Sequence, residues 1–196
     1  MSNYNLVKMQ KKLKKYIDEM RFHHTLGVMY TAASLAMCHG EDIERTQVAG
    51  LLHDCAKCIP NTKKLKLCAQ KNIPVSEIEQ KSPYLLHARI GAYIAREKYH
   101  VEDPEILSAI EFHTTGKAEM TLLEKIIFIA DYIEPMRNKA ANLPEIRSLA
   151  FRDIDRAVYL TMRDTIMYLE KEKSCLDNQT IVAYNYYKEL VEKKEA

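Results

Sequence analysis

The chain has 196 residues with 29 basic and 27 acidic side chains, five Gly and six Pro. Gly and Pro together reach about half of their usual combined share of roughly 12%, which excludes a turn-rich barrel, a collagen-like repeat and a disordered linker protein. Hydrophobic residues at 47% supply a core, no apolar run approaches the roughly 18 residues of a bilayer span, and a net charge of +2 indicates neither bulk nucleic-acid binding nor an acidic tail.

The N-terminal stretch has no charged-then-apolar signal region. Cys38, Cys55, Cys58, Cys68 and Cys175 form an odd, irregular set rather than a disulfide framework. From both features a cytoplasmic protein with reduced thiols is expected.

Apolar residues recur with a period near 3.6 and predict an all-α fold. Leu6, Met9, Leu13, Ile17 and Met20 make one stripe on a Lys-rich first helix. A second helix is expected from about Phe22 to His39, stopped by Gly40. Asp42 caps a third, which carries Val48, Leu51 and Leu52 inward and ends near Lys57, before Pro60. Thr62 starts a short fourth.

Ser76 with Glu79 is a capping-box pattern, and Ser82-Pro83 and Asp103-Pro104 each put Pro at a first helical position. Thr121 with Glu124 is a second capping box, opening a helix from Leu122 to Glu134 that is apolar on nearly every side and halts at Pro135. It is expected to be the central buried helix, and its single Asp131 stands out. Helices from about Pro144 to Lys173, with a break near Asp153, and from about Gln179 to Lys193 follow. With no strand pair, repeat or linker, the sequence reads as one domain over residues 1–196, its C-terminal packing helices at about 144–193.

Histidine carries the functional signal. His53-Asp54 closes the apolar run Val48-Ala49-Gly50-Leu51-Leu52, which places an imidazole and a carboxylate at the inner end of a buried helix. An unpaired charge there costs several kcal/mol, and a metal ion is one way to satisfy both groups. His24, His87, His113 and Asp131 likewise lie beside apolar residues, so four His and two Asp come from five helices. That is roughly the donor set two transition-metal ions need if both keep open positions, and its His-rich character suits iron, manganese, cobalt or zinc better than calcium or magnesium.

The ordered set His24, His53-Asp54, His87, His113, Asp131 resembles the metal residues of the HD-domain phosphohydrolases, in the subgroup with two metals. The stretches His24-Thr-Leu-Gly-Val28, Ala49-Gly-Leu-Leu-His-Asp-Cys-Ala-Lys57, His113-Thr-Thr-Gly116 and Ala130-Asp-Tyr-Ile-Glu-Pro135 are similar to the YqeK-type bacterial enzymes that cleave diadenosine tetraphosphate symmetrically. The likeness spans about residues 21–137. It implies an HD-domain helical bundle with a buried two-metal site, in which His24, His53, Asp54 and Asp131 hold one ion and Asp54 bridges to a second held by His87 and His113. Iron is the favoured metal, with manganese, cobalt and zinc as alternatives.

The expected reaction is attack on a phosphoanhydride by a hydroxide shared between two cations about 3.5 to 4 Å apart, with two ADP as products. Lys57, three residues after Asp54, is expected to meet a phosphate oxygen and serve catalysis beside Asp54. Lys63, in an acid-free basic stretch that also holds Lys64, Lys66 and Lys71, and Arg89 and Arg137 are further candidates for binding the substrate. The partner is thus a small nucleotide, with no nucleic acid and no membrane, and a homodimer is compatible with the sequence. Three alternatives stand beside this reading: another nucleotide substrate (a nucleoside triphosphate, guanosine tetraphosphate or a cyclic nucleotide), a non-catalytic nucleotide-binding regulator, and a di-iron oxygenase.

No ligand role is expected of His23, His39 or His100, and Cys55 with Cys58 lacks the second pair of a zinc site. Tyr184, Tyr186 and Tyr187 are read as packing residues. All five Gly lie within four residues of a His. Gly40 is read as a helix stop, whereas Gly27, Gly50, Gly91 and Gly116 lie three or four residues from a proposed ligand, where a missing side chain lets helices or substrate approach the metals. Bulky replacement there is expected to impair activity more than folding.

Overall fold

Local capping chemistry decides where most helices begin. The computed structural model describes residues 4–140 and 142–195; residues 1–3, 141 and 196 of the expected domain span lie outside them. The described residues contain α1 (Leu6–Leu13), α2 (Glu19–His39), α3 (Ile43–Leu52), α4 (Asn61–Lys71), α5 (Glu77–Lys81), α6 (Leu86–Tyr99), α7 (Pro104–Phe112), α8 (Leu122–Ile133), α9 (Leu143–Ala150), α10 (Ile154–Lys171) and α11 (Asn178–Glu195), and no strand. A 3₁₀ turn, Pro83–Leu85, leads into α6.

The carboxylates of Asp18, Asp42, Asp103 and Asp153 accept the first free N–H groups of α2, α3, α7 and α10, each worth about 1 kcal/mol. Both capping boxes, Ser76 with Glu79 and Thr121 with Glu124, are closed in both directions. Gly40 ends α2 at φ 79°, a left-handed conformation that glycine adopts without steric cost.

Two expectations about the first helices need correction. The stripe from Leu6 to Met20 does not lie on one helix: α1 stops after Leu13, and Met20 sits 71% exposed in the first turn of α2. Asp18 is the reason, because its side chain caps a new helix and outweighs continued periodicity. The third helix ends at Leu52 rather than near Lys57. The Gly50 carbonyl accepts from the His53 ring at 2.7 Å, and the chain then tightens into turns closed by Cys55 N–H to Leu52 O and Lys57 N–H to Asp54 O.

Helix α8 lies in the middle, packed against α2, α3, α7, α9 and α10, with Leu123, Ile126, Ile127, Ile129 and Ala130 all buried. α2 packs closely on α3, and Gly50 is the reason they can approach. A side-chain carbon there would lie 3.0 Å from the Met29 Cα. Gly50 therefore serves helix packing in the fold itself, and a bulky replacement would disturb folding, contrary to the expectation above. The tyrosines of α11 pack as expected: Tyr184 stacks on Tyr159, and the buried Tyr187 hydroxyl accepts the Met120 N–H at 3.0 Å. Among the described residues no helix is long and apolar enough to cross a membrane.

Candidate metal centre

Helix ends deliver most of the candidate ligands. His53 and His113 follow directly on α3 and α7, His87 stands in the first turn of α6, and His24 and Asp131 lie within α2 and α8. The structure brings all six candidates together. His53, His87, His113, Asp54 and His24 are buried, and Asp131 is partly buried.

Asp54 stands between two groups of imidazoles. Its Oδ2 lies 3.6 Å from His53 Nε2 and 3.9 Å from His24 Nε2, while its Oδ1 lies 3.2 Å from His87 Nε2 and 3.5 Å from His113 Nε2. Asp131 Oδ1 is 3.0 Å from His24 Nε2 and 3.9 Å from His53 Nε2. The donor atoms of His24, His53 and Asp131 are mutually close enough to share one ion, as are those of His53, Asp54 and His113.

The protons on these rings can be placed from their partners. The Nδ1 atoms of His53, His87 and His113 lie 2.7 Å from the carbonyls of Gly50, Tyr84 and Ile110, and that of His24 lies 3.0 Å from Glu134 Oε1. A carbonyl oxygen only accepts, so Nδ1 of His53, His87 and His113 carries the hydrogen and their Nε2 atoms face inward, whereas His24 lies between two carboxylates, Glu134 at Nδ1 and Asp131 at Nε2. His87 Nε2 and His113 Nε2 face one another at 3.2 Å with Asp54 Oδ1 beside them. His24 Nε2, His53 Nε2 and Asp54 Oδ1 are buried without a hydrogen-bond partner. Converging buried acceptors of this kind fit a cation and little else.

Electrostatics keep His87 neutral and both carboxylates ionised. Burial pushes the His87 pKa down to about 4, against a smaller opposing pull from Asp54. For Asp54 burial acts to raise the pKa, but His53, His113 and His87 outweigh it and hold the carboxyl well below the usual carboxylate range. Asp131 behaves alike: His24, His53 and Arg137 overcome its burial and hold it low.

The cationic candidates fall into three situations. Lys57 Nζ lies 3.1 Å from His87 Nε2 and 3.8 Å from Asp54 Oδ1, directly at the centre. Arg137 donates to Asp131 Oδ1 at 2.8 Å from the half-exposed edge of the site. Arg89 lies 3.3 Å from Glu79 and 3.7 Å from Glu111, in the wall of a narrow pocket of about 80 Å³ that reaches Thr114. On α4, Lys63 is exposed, whereas its neighbour Lys64 is buried, with Asn61 Oδ1 at 3.3 Å. Burial and the nearby Lys57 charge lower the Lys64 pKa.

Sequence reasoning missed four side chains at the site. Arg21 donates to Asp54 Oδ2 at 2.7 Å, and Thr114 Oγ1 lies 3.2 and 3.0 Å from the Nε2 atoms of His87 and His113. Glu134 accepts from His24, and Arg147 of α9 donates to the carbonyls of Ile133, Glu134 and Arg137 at and just past the end of α8. Arg21 and Glu134 stand three residues from His24 and Asp131, a helical-turn spacing that could have flagged them. Nothing local marks Arg147. His23 and His100 are exposed, and His39 donates to the Ala150 carbonyl at 2.7 Å, all away from the centre.

An all-helical bundle that gathers His, His-Asp, His, His and Asp from separate helices around a buried pocket of metal donors has the architecture of the HD class. Residues 21–136 match the HD domain model, and the chain belongs to the HD-domain family. It is 37% identical over 89% of its length to a Bacillus subtilis protein, covering 92% of that relative, which carries the name symmetrical bis(5'-nucleosyl)-tetraphosphatase. A Halalkalibacterium halodurans protein of the same name is 38% identical, with 88% of this chain and 91% of the relative covered. A crystal structure from Clostridium acetobutylicum, described as an HD superfamily hydrolase involved in NAD metabolism, superposes with a TM-score of 0.90 at 38% identity, covering 94% of this chain and 97% of that one.

Proposed function

We propose that this protein is a cytoplasmic, metal-dependent hydrolase that cleaves diadenosine tetraphosphate and related dinucleoside polyphosphates symmetrically, giving two ADP. The carrying observation is the division of the donors by the two oxygens of Asp54, with His24 and His53 on one side and His87 and His113 on the other. The near full-length similarity to relatives bearing the tetraphosphatase name supports the substrate. Two ions fit this reading, one with His24, His53, Asp54 and Asp131, the other with Asp54, His87 and His113, iron being favoured over manganese, cobalt and zinc. Bound there, such ions activate water for attack near neutral pH and offset negative charge on the phosphoryl group.

The protein groups then orient and neutralise the substrate. Lys57 places an ammonium against a non-bridging oxygen of the phosphate under attack, from its position beside His87 and Asp54. Lys63 at the rim and Lys64 further in extend that cationic path along α4, and Arg137 guards the Asp131 side. Arg89, in the wall of the narrow pocket that reaches Thr114, is a further group for binding the anionic substrate. Water adds to the second phosphorus, the anhydride bond to the leaving ADP breaks, and both products carry a terminal phosphate. ADP is a stable leaving group and needs little protonation. Metal analysis of the purified protein with chromatography of products from diadenosine tetraphosphate tests this: ADP alone from metal-loaded protein supports it, and ATP plus AMP, or no turnover, refutes it.

A further inference from the structure

The four histidines of the centre are held in two different ways. His53 and His113 stand just past the last residues of α3 and α7, where the final carbonyls of a helix lack an intrahelical partner, and their rings donate to Gly50 O and Ile110 O three residues back. His87 uses the same device on the Tyr84 carbonyl of the 3₁₀ turn. His24 stands inside the 21-residue helix α2, where the carbonyls one turn earlier are taken by the helix's own ladder. It cannot be oriented by its own backbone.

We propose that Glu134 is the positioning residue that fixes the tautomer and aim of His24, and that Gly27 exists to admit it. Glu134 follows α8, is 1% exposed, and accepts from His24 Nδ1 at 3.0 Å and from the Met136 N–H at 2.7 Å. A side-chain carbon at Gly27 would lie 2.7 Å from Glu134 Oε2, so any other residue there displaces the carboxylate. The Met136 N–H accounts for a carboxylate in preference to an amide. A glutamine must either turn its NH₂ against that N–H or turn it toward His24 and force the proton onto Nε2. With its Nδ1 hydrogen held by Glu134, His24 aims Nε2 to the side of Asp131 Oδ1, 3.0 Å away, so that one cation can take both. The consequence is local: Glu134 serves the half of the centre made by His24, His53 and Asp131, and His87 with His113 does not depend on it.

This inference rests on the metal-site part of the proposed function and not on the substrate. Zinc titration of the metal-free full chain, by calorimetry with metal counting by mass spectrometry after gel filtration, compares wild type, Glu134→Gln, Gly27→Ala and His113→Ala. Wild type is expected to show two binding events. Glu134→Gln and Gly27→Ala should each weaken the same one by about 10- to 100-fold and spare the other, while His113→Ala weakens the complementary one. Gly27→Ala displaces only the end of a flexible side chain, so it decides the matter if Glu134→Gln fails to fold. Histidine ¹⁵N shifts of zinc-loaded wild type give a second readout, Nδ1 of His24 protonated and Nε2 carrying the metal-bound shift. Unchanged zinc binding in both variants, equal weakening of both events, or the opposite His24 tautomer overturns the inference. A wild-type chain that binds no zinc overturns it together with the metal reading, whereas two zinc events without turnover of diadenosine tetraphosphate refute the substrate alone.

Discussion

Helices α2, α3, α6, α7 and α8 obey the same amphipathic rules as α9 to α11, yet the two regions bury different things. The first group and its connections bury His24, His53, Asp54, His87, His113, Glu124 and Glu134, whereas the buried polar residues described in α9 to α11 are Thr161 and Thr180. Burying an uncompensated polar or charged group costs from one to several kcal/mol. Glu124 is compensated by Thr121 and Lys117, but the others of the first group gather around Asp54, where a bound cation would offset their cost. The C-terminal helices are the buttress: α10 packs on α8, and Arg147 of α9 ties down the carbonyls at the end of α8.

This contrast can be broken first at its centre. Asp54→Ala removes the carboxylate common to both imidazole groups, and both metal content and hydrolysis should fall below detection; a metal-free, fully active variant would refute the mechanism. Lys57→Ala should retain the metals yet lower turnover by about 10- to 100-fold, seen in steady-state kinetics with parallel metal analysis. Undiminished turnover would detach Lys57 from the phosphate.

Acid should expose the cost of the buried donors in the metal-free protein. His87 titrates near 4 when folded against about 6.5 unfolded. The unfolded chain therefore binds more protons between those values, so stability is complete above pH 6.5 and declines as pH falls toward 4. Urea melts at pH 7, 5.5 and 4.5 should show a loss of up to about 3 kcal/mol, smaller in His87→Gln. Equal losses in the two proteins would show that His87 is not the group responsible. The smallest effect belongs to the buttress. Thr161 buries a hydroxyl oxygen that has no hydrogen-bond partner, so Thr161→Val should hold or raise stability by up to about 1 kcal/mol with metal content unchanged. A clear loss on thermal melting would assign that hydroxyl a structural partner.

Much of this was legible in the sequence because it is written locally. Asp42, Thr121 with Glu124, Asp103-Pro104 and Gly40 act within one turn of their own position, and each acts where its sequence context indicated. The six candidate ligands were legible because imidazoles and carboxylates beside apolar runs are costly without a shared purpose. What escaped depends on contacts between distant segments. Met20 follows the apolar period but faces water, since Asp18 restarts the helix. Gly50 stands one turn from His53 in sequence, but its contact is the backbone at Met29. Lys63 and Lys64 are indistinguishable in an acid-free run, and only the packing of α4 turns Lys64 inward. Arg147 acts on carbonyls ten to fourteen residues away in sequence, with no motif to announce it.

The most direct test of the central claim is hydrolysis of diadenosine tetraphosphate by metal-loaded protein in ¹⁸O-labelled water, with the products weighed by mass spectrometry. Addition of one water to the central anhydride predicts ADP as the sole product, half of it carrying a single ¹⁸O. ATP with AMP, or ADP without label, would contradict symmetrical hydrolysis at this centre.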